Sequence, residues 1–468
     1  MTYYKTVLIV FSISFSIPLN LLAQSFTKTI ISGVHWYDQH QNTVSAHGAG
    51  VLKEGTTFYL FGEFKRDDSN AFNGFSCYSS KNLSDWKFEN VVLPVQSNGR
   101  LSNDKVGERP KVLKNPKTGE YIMFMHTDDL NYKDPVVGYA TSNTIDGTYQ
   151  FQGPLLFKGK PIKRWDMGVF QDSDGQGYLV MHHGDLYRLS ADYKSITQQI
   201  TTQATKCESP VIFKKNGIYF WLGSGLTGWE RNDNFYYTAK SLEGPWEYQG
   251  TFAPKGTLTY NSQSTFVLPI KGSKDTTYVY MGDRWSHPKQ NASATYVWQP
   301  LQIHEKRLTI PEFFQNWKIS IQTGEWEKAC FTGKIIENND PEINYEGSWE
   351  HHTQGEDFSD SYANEEGAKL TYTFEGSQIG MVGVASSDKG YAQVTIQNAK
   401  GKEILSNVID MYCKYPEASL KFLSPKFPKG IYTISISVLG EHWFWTEKSG
   451  KKSGSSDVSV SLDKFIIN

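Results

Sequence analysis

The sequence predicts an all-β protein, a five-bladed β-propeller followed by a C-terminal β-sandwich of the jelly-roll type. Three observations predict this fold: one hairpin unit recurs five times, helical periodicity is nearly absent, and short alternating strands fill the C-terminal part. The chain has 468 residues, which is too many for one ordinary core. We therefore expect a propeller over residues 25–335 and a sandwich over residues 336–468.

Each of the five units has a small or polar lead-in, an apolar strand, a tight turn and a second apolar strand. The units are AHGAGVLKEGTTFYLFGE (46–63), GERPKVLKNPKTGEYIMFMHT (107–127), WDMGVFQDSDGQGYLVMHH (165–183), CESPVIFKKNGIYFWLGSG (207–225) and NSQSTFVLPIKGSKDTTYVYMGDRW (261–285). Turns such as Ser-Asp-Gly and Lys-Asn-Gly make each unit a hairpin. Short antiparallel strands in successive similar units are typical of propeller blades.

Polar residues stand at corresponding places ahead of the five units. In a propeller the innermost strands line one central channel, so residues just ahead of these strands converge. The converging positions are His47, Glu108, Asp166, Glu208 and Gln263. One polar residue ahead of a strand often only satisfies turn amides. Three carboxylates in register are different, because each raises the cost of ionising the others, and they predict a functional site.

Paired carboxylates in an aromatic-lined cleft are the apparatus of glycoside hydrolysis, and aromatic residues make up 14% of the chain. One carboxyl must stay protonated to donate to the leaving oxygen. Glu208 precedes an apolar run, so burial should keep it protonated, and Asp166 would supply a neighbouring negative charge. Glu108 is followed by Arg109, which should hold Glu108 ionised.

The segments Glu108-Arg109-Pro110, Trp165-Asp166-Met167-Gly168 and Cys207-Glu208-Ser209-Pro210 resemble the blade-entry motifs of glycoside hydrolase family 43, and the resemblance spans residues 28–335. It implies a five-bladed propeller that cleaves with inversion, Glu208 as the general acid and Asp166 as the modulator of the acid's pKa. The sequence departs from the family at the base, because His47-Gly48 stands where the first blade normally has an Asp.

This departure is similar to the exo-β-1,3-galactanase branch of the family, and the segment Asn261-Ser262-Gln263 resembles that branch. The resemblance implies that Gln263 takes the base's role, either as an imidic acid or by holding water while Glu108 accepts the proton. As an anion, Glu108 is chemically the better acceptor. The predicted substrate-binding residues are His47, Glu63, Thr227, Trp229, Asp283 and Arg284.

The sequence thus predicts an inverting hydrolase that releases galactose from β-1,3-galactan of arabinogalactan by exo action. An α-L-arabinofuranosidase of the same family and a non-catalytic sugar-binding propeller are the alternatives. We expect a polysaccharide or oligosaccharide partner and no cofactor or metal. The formal net charge of −2 gives no reason to expect nucleic acid.

The N-terminal residues 1–24 predict a signal peptide. Lys5 precedes an apolar run, and Leu-Leu-Ala-Gln closes the segment. Ser and Pro residues interrupt the run, which argues against a membrane span. We therefore expect export to the periplasm or the medium.

The C-terminal part reads as a sandwich that resembles carbohydrate-binding domains of exported glycosidases. Its segment Trp443-Phe444-Trp445 is either a stacking platform for sugar or ordinary packing. The adjacent His182 and His183 are expected on a strand, where their side chains would point to opposite faces.

Overall fold

The computed structural model describes residues 28–352, 359–447 and 450–468, so the predicted signal peptide lies outside the described residues. The all-β class is confirmed. The helical elements among the described residues are two four-residue helices, Leu258–Asn261 and Gln290–Ser293, and a 3₁₀ turn, His182–Gly184. The turn corrects one expectation: His182 and His183 do not alternate on a strand, because the chain turns there, and their rings lie 4.1 Å apart.

Five sheets, which we number 1 to 5 in chain order, occupy residues 47–309. Their strands pair antiparallel, except that Leu156–Phe157 pairs in parallel with Ile196–Thr201 in sheet 3. The strand given first for each sheet is its inner strand. The strands are His47–Glu54, Thr57–Glu63, Phe75–Ser80 and Lys87–Leu93 in sheet 1; Lys105–Lys114, Tyr121–Asp129, Val136–Ser142 and Gln150–Pro154 in sheet 2; Met167–Gln171, Gly177–Met181, Leu186–Leu189, Ile196–Thr201, Leu156–Phe157 and Lys160–Pro161 in sheet 3; Glu208–Lys215, Ile218–Ser224, Phe235–Ala239 and Glu247–Thr251 in sheet 4; and Gln263–Lys271, Thr276–Arg284, Thr295–His304 and Arg307–Thr309 in sheet 5.

The inner strands contact one another in sequence, and the inner strand of sheet 5 returns to that of sheet 1. Hydrogen bonds join neighbours across the ring: Thr265 Oγ1 donates to Ala49 O at 3.1 Å, and Ser264 Oγ donates to Ser209 O at 3.1 Å. Hydrophobic clusters fill the spaces between successive sheets, and the largest joins sheets 4, 5 and 1. The starts of the inner strands therefore meet around one axis.

A repeated irregularity aims the side chains at these strand starts. Four inner strands shift register within three residues of the polar position, as β-bulges do. In three of them the next residue has a positive φ: Gly48, Arg109 and Ser209. A bulge redirects a side chain out of the regular alternation. Glu108 accordingly lies inside the strand Lys105–Lys114 rather than ahead of it.

The remaining strands form further sheets of two to five strands, and those from residue 334 onward lie in the C-terminal part. They are Ile30–Ile31, Asn316–Ile319 and Trp326–Lys328; Lys334–Glu337, Lys464–Ile467, Ile379–Ala385 and Glu417–Leu423; Asn344–Glu346, Lys369–Gly376, Gly430–Val438, Tyr391–Asn398 and Glu403–Asp410; Glu350–His351, Ser361–Ala363 and Val460–Leu462; and Phe444–Thr446 and Lys452–Gly454. A separate hydrophobic cluster runs from Ile336 to Ile467. The boundary between residues 335 and 336 stays a prediction.

Across the described segments, no helix is long and apolar enough to cross a membrane. Three of the four cysteines, Cys77, Cys207 and Cys413, are buried free thiols, and Cys330 is exposed.

Candidate active site

A cavity of about 1520 Å³ opens where the inner strands begin. All four predicted catalytic residues line it, as do three of the predicted substrate-binding residues, Glu63, Thr227 and Trp229. The cavity's other wall comes from the C-terminal part, including Tyr412 and Trp445.

Glu208 and Asp166 form a pair of carboxyls with opposite protonation preferences. Burial and the negative charge of Asp166 raise the pKa of Glu208 to about 8. Burial works against ionisation of Asp166 as well, but the nearby Arg109 outweighs it and lowers the pKa of Asp166 to about 2. Arg109 Nε lies 3.2 Å from Asp166 Oδ1, and Ser209 donates to Oδ2 from both its backbone and its hydroxyl. At neutral pH the carboxyl of Glu208 is therefore protonated, and that of Asp166 is ionised.

Gln263 connects this pair to the rest of the site. Its Nε2 donates to Glu208 Oε1 at 3.1 Å and to Ser224 Oγ at 2.9 Å. Its Oε1 accepts from Arg109 Nη2 at 2.7 Å and from Trp285 Nε1 at 2.9 Å. Both lone pairs of the amide oxygen are therefore in use. In this arrangement Gln263 orients Glu208, and its oxygen can take a water molecule only by releasing one of its two donors.

Glu108 lies on the cavity wall as an anion. Tyr132 Oη donates to its Oε1 at 2.7 Å, and His126 Nδ1 lies 3.3 Å from its Oε2. Burial opposes ionisation, but the hydrogen bond from His126 and the charge of Lys65 outweigh it and lower the pKa of Glu108. Glu108 can accept a proton from water at neutral pH.

Glu108, His126 and Asp166 also offer ligand atoms within 4.8 Å of one another, the spacing of a metal site. Both ring nitrogens of His126 face carboxylates, Glu108 and Asp128. Burial lowers the pKa of His126, but these two partners raise it to about 9. A positively charged His126 between Glu108 and Asp128 balances the charge of these two carboxylates.

Glu63 pairs with His47 in the hairpin of sheet 1. Its Oε1 accepts from the backbone of Arg109 at 2.9 Å, and Lys65 Nζ lies 2.5 Å from its Oε2. Gly48 has a φ of 57°, and a Cβ there would lie 2.1 Å from Glu63 Oε1. A larger residue at position 48 would be strained by the positive φ and would have to displace Glu63 Oε1.

Aromatic rings form the wall beside Lys65. Trp229 and Trp285 pack edge to face with centroids 5.6 Å apart, and Lys65 Nζ lies 5.7 and 5.2 Å from their ring centres. Such surfaces suit the apolar faces of sugar rings.

Three predicted substrate-binding residues, His47, Asp283 and Arg284, lie behind the cavity rather than on its lining. Asp283 accepts from Gly48 N at 3.1 Å, and its other oxygen lies 3.2 Å from His47 Nδ1. Arg284 Nη2 donates to Tyr260 O at 2.9 Å. These residues hold the strand starts in place.

The predicted site residues did not include four residues that line the cavity: Lys65, His126, Tyr132 and Trp285. Trp285 was within reach, since it closes the fifth repeated unit. Lys65 and Tyr132 follow the second strands of sheets 1 and 2, and His126 lies within the second strand of sheet 2. Only the register of those strands brings the three side chains to the cavity.

Comparisons with known proteins show the family of the chain. The family model of glycosyl hydrolases family 43 matches residues 44–282. The exo-β-1,3-galactanase of Phanerochaete chrysosporium, solved with galactose, is 30% identical, with a TM-score of 0.69 over 94% of this chain and 100% of that chain. A variant of the same enzyme was solved with β-1,3-galactotriose. The exo-β-1,3-galactanase from Clostridium thermocellum is 27% identical, with a TM-score of 0.59 over 84% of this chain and 99% of that chain. No curated protein matches the chain.

Proposed function

The chain belongs to glycosyl hydrolases family 43 and is a glycoside hydrolase, and from this premise we propose that it releases galactose from β-1,3-galactan by exo action with inversion. The observation that supports the proposal most is the pairing of Glu208 with Asp166. A buried carboxyl with a pKa of about 8 beside a permanent anion is suited to protonate a departing sugar oxygen.

We choose galactan as the substrate because of the residues that stand where the attacking water would be activated. The inner strand of sheet 1 has no Asp at its start, and Gln263 stands beside Glu208 instead. Two related enzymes with solved structures are exo-β-1,3-galactanases. The arabinofuranosidase alternative has no observation of this kind in its favour. A protein that only binds sugar would not need a protonated Glu208 next to an ionised Asp166.

We assign activation of the water to Glu108 and give Gln263 a positioning role. Glu108 is ionised and can accept the proton, whereas the amide oxygen of Gln263 already accepts two hydrogen bonds. Glu63, Thr227 and Trp229 would contact the sugar from the cavity wall.

The architecture proposed for this enzyme is a five-bladed propeller with a C-terminal sandwich. The ring of inner-strand contacts supports the propeller, and the separate C-terminal cluster supports the sandwich. Export to the periplasm or the medium is supported by the pattern of residues 1–24. Arabinogalactan would then be met outside the cytoplasm.

Digestion of two polymers tests the substrate. We expect β-1,3-galactan to yield galactose as its main small product, and arabinan to yield no sugar, because the site is proposed for a hexopyranose. The released monosaccharides are measured by anion-exchange chromatography. Arabinose from arabinan would favour the alternative enzyme, and no release from either polymer would favour a binding protein.

A further inference from the structure

The C-terminal part supplies a wall of the cavity that the repeated units do not contain. Strands Phe444–Thr446 and Lys452–Gly454 pair antiparallel, with Trp445 opposite Ser453. We call these two strands the C-terminal hairpin. All six of its strand residues line the cavity, together with Tyr412 from the same part of the chain.

Direct contacts hold the C-terminal hairpin in place against sheets 4 and 5. Phe444 N donates to His287 O at 3.0 Å, and His287 Nδ1 donates to Phe444 O at 2.6 Å. The ring of Trp445 packs on Gly228, where an added Cβ would lie 2.6 Å from the indole. Gly228 has a φ of 62°. The hairpin is therefore anchored to the loop that follows sheet 4's second strand.

This loop places the hairpin on the side of Glu208. Glu208 pairs with Ser224, the last residue of the strand Ile218–Ser224. The chain that leaves Ser224 then reaches Gly228 and Trp229. Because a general acid protonates the oxygen of the departing group, the cavity on that side receives the leaving group. The C-terminal hairpin lines the cavity next to this loop, through the contact of Trp445 with Gly228.

The size and chemistry of the space fit further sugar residues. The cavity volume of about 1520 Å³ exceeds the roughly 300–1,000 Å³ of ordinary small-molecule sites. Trp445 is partly exposed and offers a flat apolar face, which suits the C–H face of a pyranose. Lys452 pairs with Thr446 in the hairpin and is exposed. Its ammonium group can donate hydrogen bonds to sugar hydroxyls. Trp443, in contrast, is fully buried and stacks on Tyr412 at 5.0 Å.

We propose that the C-terminal hairpin forms a leaving-group subsite, in which Trp445 stacks on a galactosyl residue beyond the scissile bond and Lys452 binds its hydroxyls. The inference rests on the proposed function and extends it, since it makes the C-terminal part a component of the active site. Of the two readings of Trp443-Phe444-Trp445, packing applies to Trp443 and stacking to Trp445.

The test compares Trp445→Ala with wild type on two substrates. β-Galactosyl fluoride has no leaving-group sugar, whereas β-1,3-galactotriose has two. We expect kcat/KM on galactotriose to fall roughly tenfold, as a loss of about 1.4 kcal/mol in binding would give, and kcat/KM on the fluoride to stay within twofold of wild type, about the scatter of a neutral change. Trp349→Ala is the matched control, because Trp349 belongs to the same part of the chain and does not line the cavity.

The outcomes separate this inference from the proposed function. If wild type hydrolyses neither substrate, the proposed function fails. If wild type is active and Trp445→Ala lowers kcat/KM equally on both substrates, or on neither of them, the subsite is refuted. Should Trp445→Ala not fold, Lys452→Ala at the exposed end of the hairpin replaces it. A loss confined to galactotriose then supports the subsite, and unchanged values on both substrates contradict it.

Discussion

Replacement of Glu208 by Gln is expected to lower kcat on β-1,3-galactan by about 10²–10⁴-fold, the contribution typical of a general acid. A sugar is a poor leaving group and needs a proton from Glu208, whereas fluoride departs without one. The same variant should therefore retain most of its activity on β-galactosyl fluoride. Steady-state kinetics on the two substrates measure the difference directly.

The pH profile of the wild type also tests the assignment of Glu208 as the general acid. Only the enzyme with protonated Glu208 can act on galactan, so kcat/KM should be level below neutrality and fall as the pH rises through about 8. Because the charge of Asp166 helps to raise the pKa of Glu208, Asp166→Asn should move this limb to lower pH.

Glu247→Gln is the matched control for the Glu208 variant. Glu247 lies in sheet 4 like Glu208, but it is exposed, pairs with Lys306 and does not line the cavity. The Glu247→Gln variant should therefore have the kcat of the wild type and the same fall in kcat/KM at high pH. Wild-type turnover of galactan by Glu208→Gln would remove Glu208 as the acid.

The second large effect is expected at Glu108. Glu108→Ala should lose about 10²–10⁴-fold in kcat because no anion is left to accept the proton of the attacking water. Azide is a strong nucleophile that needs no base. It should therefore restore turnover of Glu108→Ala and give α-galactosyl azide, the product of inversion.

Gln263→Ala is the comparison for Glu108→Ala. If Gln263 only orients Glu208 through its amide nitrogen, azide should not rescue this variant, since its defect lies on the acid side. Rescue of Gln263→Ala by azide, with none for Glu108→Ala, would transfer the water-activating role to Gln263.

The sequence predicted the all-β class and the convergence of Glu108, Asp166, Glu208 and Gln263, because the same hairpin pattern recurs and strand starts at corresponding places meet. It also predicted which carboxyl is protonated, since an apolar run follows Glu208. The bulges were not predictable. Two of them contain a left-handed Arg109 or Ser209, residue types that do not favour this conformation.

Long-range contacts set the other limits. His47, Asp283 and Arg284 are polar and lie near cavity-lining residues in the sequence. In the structure they pair with one another or with backbone oxygens behind the cavity lining. Trp445 reaches the cavity only because the C-terminal part docks on Gly228, more than two hundred residues earlier in the chain. Neither the pairing nor the docking leaves a local pattern.

Proton NMR of a β-1,3-galactan digest during its first minutes shows whether the enzyme releases galactose with inversion. An inverting mechanism predicts that galactose appears first as the α-anomer and then equilibrates, because water attacks from the face opposite to the departing chain. Initial release of β-galactose would contradict the assignment of Glu208, Asp166 and Glu108 to an inverting mechanism, and the absence of galactose would contradict the proposed substrate.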